Sequence, residues 1–242
     1  MHSAIARWVG RSGITLLFAA STAAAPAPDA APLDVTEREV TASNEKVAMA
    51  YAALVSMWSA HFGRIEARFA QPSIVRYRGA VSTACGVMPA NNAMYCPSRN
   101  TIYYDDVFVA RQAKAAAAQL GTDGDMAAVG IIAHEMGHAV QIQLGEDSNI
   151  PYENEATADC LAGVFTNQSA TDGSLEKGDL NEVFFGLAAA GDPTPQYTGD
   201  RWIDSQIAVR AHYLGHGTRE QRLANFTVGY KRGASGCLEA FR

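Results

Sequence analysis

Residues 134–138 read His-Glu-Met-Gly-His, inside an apolar stretch that runs from Ala127 to Gln141. On a helix, at about 100° per residue, His134 and His138 stand about 40° apart on one face and one turn apart along the axis. Two imidazoles placed this way can hold one ion, and zinc suits such ligands. Glu135 follows the first imidazole and projects beside the ion, where it can take a proton from an activated water. Chance spacing on a solvated helix face is the bland alternative. Ile131, Ile132, Ala133, Ala139 and Val140 argue against it, because they predict a largely buried helix in which ionisable groups need partners.

A catalytic zinc needs three protein ligands and one open position, so a further His, Asp or Glu must come from elsewhere. Glu146, Asp147, Glu153, Glu155, Asp159, His212 and His216 are the downstream candidates. Glu155 is preferred, since Asp159 lies four residues later on the same helical face and can orient a liganding imidazole, most simply His134. Ala158 and Ala162 make that face small enough to pack closely on the helix of the two histidines. His216, beside Gly217, is the first choice for an extra donor to a developing oxyanion, with Tyr95 and Tyr103 behind it. Its structural alternative is to cap the helix that begins near Thr218.

These side chains must be positioned by a scaffold, and the pattern predicts an α+β chain: a small sheet followed by a mainly helical half. A long amphipathic helix is expected over 36–61, where Val40, Val47, Tyr51, Leu54, Val55 and Trp58 recur at helical spacing. Strands are expected over 73–78, 92–96 and 101–104, and helices over 106–119, 125–144, 152–168, 175–190, 201–214 and 218–230. Asn92 to Tyr95 reads as an edge strand on which an extended peptide could pair. No linker after residue 32 separates domains, so 36–242 is read as one domain.

The first segment has Arg7 and Arg11, then an apolar run through Leu16, Leu17 and Phe18, then small residues to Ala25. That order is the layout of a secretory signal peptide over 1–25, with an uncleaved membrane anchor as the alternative, and 26–35 reads as a flexible linker. Cleavage removes two positive charges and no negative one, taking the net charge from −6 to −8. An acidic chain of this kind lacks the electrostatic attraction that nucleic-acid binding requires. No stable membrane span is expected after cleavage. An exported chain with Cys85, Cys96, Cys160 and Cys237 is expected to form disulfides, and the absence of any C-x-x-C spacing argues against a four-thiolate zinc site. Of the three possible pairings, the local one joins Cys85 to Cys96 in the strand region. Cys160 with Cys237 would then tie the Glu155 helix to the C-terminus.

His-Glu-x-Gly-His followed by Glu-x-x-x-Asp-Cys resembles the gluzincin arrangement. More narrowly, the chain is similar to a bacterial family of neutral zinc metallopeptidases. Ala84-Cys-Gly86, Tyr95-Cys-Pro97, Ile102-Tyr-Tyr-Asp105, Ala158 to Gly163 and His216 to Arg222 support the narrower match, as do Gly229-Tyr230 and Cys237. The resemblance covers about residues 80–240. It implies a zincin-like domain with one zinc ion per chain, held by His134, His138 and Glu155, with Glu135 as general base and a peptide or protein as substrate. The expectation is therefore a secreted or periplasmic zinc metalloendopeptidase. A zinc-bound scaffold without turnover and a zinc amide hydrolase acting on cell-wall peptides are the alternatives.

Overall fold

Thr36 opens the first helix, α1 (Glu37–Arg64), with a capping box: its hydroxyl accepts the Glu39 N–H at 3.3 Å, and the Glu39 carboxylate accepts the Thr36 N–H at 2.6 Å. The computed structural model to which this helix belongs describes residues 34–240. The signal peptide expected over 1–25, and the expected linker except residues 34 and 35, lie outside the described residues. Val47, Leu54, Trp58 and Phe62 form the buried stripe of α1, which packs on α2 (Asp106–Leu120) and α3 (Asp125–Leu144).

Five short strands lie between α1 and α2: β1 (Ser73–Tyr77), β2 (Val81–Thr83), β3 (Gly86–Met88), β4 (Ala93–Cys96) and β5 (Thr101–Asp105). Strand β5 is central in a three-stranded sheet, parallel to β1 and antiparallel to β4, which leaves β4 at an edge as expected. Strands β2 and β3 form a separate antiparallel hairpin that the sequence pattern does not reveal. Three residues per strand are too few to display an alternation. Asp105 ends β5 and caps α2, accepting the Val107 and Phe108 N–H groups.

Four further helices follow α3: α4 (Pro151–Thr171), α5 (Asp179–Ala189), α6 (Arg201–Leu214) and α7 (Arg219–Ala240). The last runs ten residues beyond the expected 218–230. It breaks at Gly233 (φ 72°, ψ −172°) and then resumes, which explains why glycine reads as a stop. Helix α3 is the hub and touches α1, α2, α4, α5, β4 and β5. Nearly every residue from Met126 to Gln141 is buried, as its all-round apolarity requires.

Two disulfides close the frame. Cys85–Cys96 fastens the β2–β3 turn to the end of β4, and Cys160–Cys237 fastens α4 to α7. Both are the pairings anticipated above. Among the described residues no helix is long and apolar enough to cross a membrane.

Three glycines set how closely α4 meets its neighbours, one of them Gly163 of α4 itself, where a Cβ would lie 2.1 Å from the Phe226 carbonyl oxygen. A Cβ on Gly137 of α3 would lie 2.7 Å from the Ala158 carbonyl oxygen, and one on Gly229 of α7 would lie 1.7 Å from the Cys160 carbonyl oxygen. Backbones this close leave no room for a methyl group, so the sequence must supply glycine at both crossings. Gly229→Ala is expected to destabilise the oxidised protein by about 3 kcal/mol or more. Urea unfolding measures this, and an unchanged midpoint would contradict the close crossing.

Candidate active site

The close α3–α4 crossing brings His134, His138 and Glu155 together. His134 Nε2 lies 3.1 Å from Glu155 Oε2, and His138 Nε2 lies 3.5 Å from Glu155 Oε1. The three side chains form a group that could hold a metal ion. On the other ring nitrogen, His134 Nδ1 is 2.8 Å from Asp159 Oδ1. Arg222 Nη2, which only donates, also lies 3.1 Å from Nδ1. The shorter contact is to the carboxylate, which only accepts; this assigns the hydrogen to Nδ1 and leaves the Nε2 lone pair facing Glu155. Glu155 Oε2 is buried without a hydrogen-bond partner, since the approach of His134 at 3.1 Å does not have hydrogen-bond geometry. A lone pair opposed to an orphaned carboxylate oxygen is repulsive until a cation lies between them, and the donor set of two imidazoles and one carboxylate suits zinc.

The electrostatics point the same way. Burial and the Arg222 guanidinium oppose a charge on His134, but Asp159 and Glu155, one at each ring nitrogen, outweigh them and push its pKa up to about 10. Burial opposes the charge on Glu155 as well, yet the two imidazoles beside it hold its carboxyl well below the usual carboxylate range. The cluster demands positive charge at its centre, which a proton or a metal ion can supply.

Arg222 of α7 is the residue that sequence reasoning missed, although it stands in a segment that carries the resemblance. Its Nη2 donates to Asp159 Oδ1 at 2.7 Å and its Nε lies 3.1 Å from Oδ2, while Nη1 donates to the Ala190 carbonyl at 3.1 Å. Both side chains are buried. The chain Glu155, His134, Asp159, Arg222 therefore runs from the centre of the cluster to a third helix. No local signal marks an arginine 63 residues from its partner.

Glu135 lines the same cleft as the two histidines and Glu155, a cavity of about 650 Å³ walled by β4, α2, α3, α4 and α5, with His216 and Arg222. Its Oε2 accepts the Tyr95 N–H at 2.7 Å. The Asn92 carbonyl accepts the Asp105 N–H, so by strand alternation Met94 and Cys96 also face β5, while Ala93 and Tyr95 turn their backbone groups outward. The general-base candidate is thus clasped to the free edge of the sheet. Gln141 and Asn154 order the turn between α3 and α4: Gln141 Nε2 donates to Asn154 Oδ1 at 2.9 Å, and the Ser148 N–H donates to the same oxygen at 2.8 Å.

Other candidates are placed as follows. His216 is exposed at the rim of the cleft, with Nδ1 3.7 Å from Asp192 Oδ1. It does not cap α7; Thr218 and Gln221 do so reciprocally. The Tyr95 hydroxyl donates to Asn100, and Tyr103 does not line the cleft. Asp147 lines the cleft, and the Glu153 carboxylate accepts the Ser148 hydroxyl. The side chain of His212 lies outside the described residues.

The model of the family described as "Putative neutral zinc metallopeptidase" matches residues 5–241, and the chain belongs to that family. It is 33% identical to "Uncharacterized protein YpfJ" of Escherichia coli (strain K12), over 73% of this chain and 63% of that protein. It is 29% identical to "Uncharacterized protein Rv2575" of Mycobacterium tuberculosis (strain H37Rv), over 72% of this chain and 63% of that protein. The chain thus spans less than two thirds of the length of the curated relatives it matches. No solved structure matches it significantly.

Asp159 fixes the tautomer and tilt of His134. Asp159→Asn is expected to weaken zinc binding by about 10–100-fold, as loss of a carboxylate behind a liganding histidine does in other sites. Competition with a chromophoric chelator checks this, and unchanged affinity would remove Asp159 from the site.

Proposed function

We propose that this protein is a secreted or periplasmic zinc metalloendopeptidase. The observation that carries the reading is the meeting of two carboxylate roles in one cleft. Glu155 closes on His134 and His138, while Glu135 stands apart from them against the outward-facing edge of β4. A protein that used the ion only for structure would have no need of Glu135, and would favour a closed set of four ligands.

His134, His138 and Glu155 would hold the zinc, which would supply Lewis acidity to a scissile carbonyl and to a water. Glu135 takes a proton from the attacking water and delivers it to the leaving amine. The Tyr95 N–H keeps that carboxylate aligned through the transfer. An extended peptide adds to β4 through the Ala93 N–H and carbonyl and the Tyr95 carbonyl, which places its backbone beside Glu135. His216, at the rim, donates to the carbonyl oxygen as negative charge develops there. Export is supported by the two disulfides, which persist in oxidising compartments, and by the signal-like layout of the first 25 residues.

Bound zinc and cleavage of a mixed peptide library by the wild type and by Glu135→Gln test the reading. Both proteins are expected to hold one zinc, and the variant is expected to lose activity by about a hundredfold or more. Equal inertness of the two zinc-loaded proteins across the library would refute it.

A further inference from the structure

A second cluster of acidic side chains lies at the other end of α3, about 13 Å along the helix from His134. Asp123 lies just before α3 and Asp125 opens it, while Asp179 and Glu182 come from the first turn of α5. One oxygen from each of the four carboxylates lies within 4.8 Å of the others. Asp123 is exposed, Asp125 is half-buried, and Asp179 and Glu182 are buried. Lys46 of α1 pairs with Asp125 and offsets part of this charge.

Glu182 makes the cluster more than an acidic surface. Its side chain is fully buried; Oε2 accepts the Met126 N–H at 2.9 Å, while Oε1 has no hydrogen-bond partner. A buried carboxylate oxygen without a donor costs more than folding ordinarily tolerates. Asp179 spends one oxygen on the Glu176 N–H, at 2.7 Å. Lys46 is matched by Asp125, which leaves Glu182 Oε1 without a donor.

We propose that Asp123, Asp125, Asp179 and Glu182 form a second metal site, which takes calcium and ties the start of α3 to the start of α5. All four donors are hard oxygens, with no histidine or cysteine, so the chemistry differs from that of the zinc group. Calcium accepts oxygens at about 2.3–2.6 Å, so donors on opposite sides of it stand up to roughly 5 Å apart. Magnesium usually keeps several waters and is rarely held by an all-protein cage, whereas calcium takes carboxylates from several elements, so four convergent carboxylates favour calcium. The site acts on the frame of the cleft. Helix α5 starts at this cluster and ends at the cleft, where Leu187 lines the wall and the nearby Ala190 carbonyl holds Arg222.

The test is a melting curve of the zinc-loaded protein in calcium-free buffer, then with calcium or magnesium chloride at millimolar concentration. Calcium at about a hundred times its dissociation constant is expected to raise the melting temperature by roughly 5–10 °C, and magnesium by much less. Asp123→Asn, a change at an exposed position, is expected to keep the fold and its zinc but lose most of the calcium-dependent rise. Glu155→Ala is expected to lose zinc and keep that rise, so the two sites can fail independently. A calcium-independent melting temperature, an equal shift with magnesium, a full rise in Asp123→Asn, or loss of the rise in Glu155→Ala would each overturn the proposal.

Discussion

The carboxylate of Asp159 has no exposure to solvent, and a charge in that position is tolerable only with strong partners on every side. It has two. His134 donates Nδ1–H to it, and Arg222 donates through Nε and Nη2. Removing either would leave a buried charge half-compensated, a change that typically costs about 3–5 kcal/mol. The same contacts decide the state of the imidazole, since a hydrogen held on Nδ1 leaves Nε2 directed at Glu155. One buried ion pair therefore sets both the stability of three packed helices and the readiness of the cluster for a cation.

The rest of the fold can be understood as the means of bringing that pair together. Helix α3 is buried on all sides, so its polar groups must be met by other elements. Gly137 lets α4 approach near enough for Glu155 and Asp159 to reach His134, and Gly229 lets α7 approach α4 so that Arg222 can cross to Asp159. The Cys160–Cys237 bond holds the same two helices one residue beyond Asp159. From the sheet side, β4 presents its free edge to Glu135. Helices α3, α4 and α7 and strand β4 thus converge on a single cleft.

Much of this was legible in the sequence because it is local. The i, i+4 spacing places His134 and His138 on one face of a helix, and the same spacing relates Glu155 to Asp159. Breaker residues marked the gaps between helices to within a few residues, except in α7, where Gly233 interrupts a helix that continues. What escaped was nonlocal or too short to show a period. Arg222 meets Asp159 across 63 residues, and Tyr95 offers Glu135 a backbone N–H that side-chain patterns cannot encode. Strands β2 and β3 have three residues each, and Glu182 reaches Met126 from another helix.

The account stands on the identity of the ligands around one ion. A crystal structure of the zinc-loaded protein, with anomalous scattering collected at the zinc edge, addresses this directly. The predicted result is one zinc per chain bound by His134 Nε2, His138 Nε2 and a Glu155 oxygen, with a fourth position open to water and Asp159 still between His134 and Arg222. A zinc held by a closed set of four side chains, or one bound away from Glu155, would contradict it.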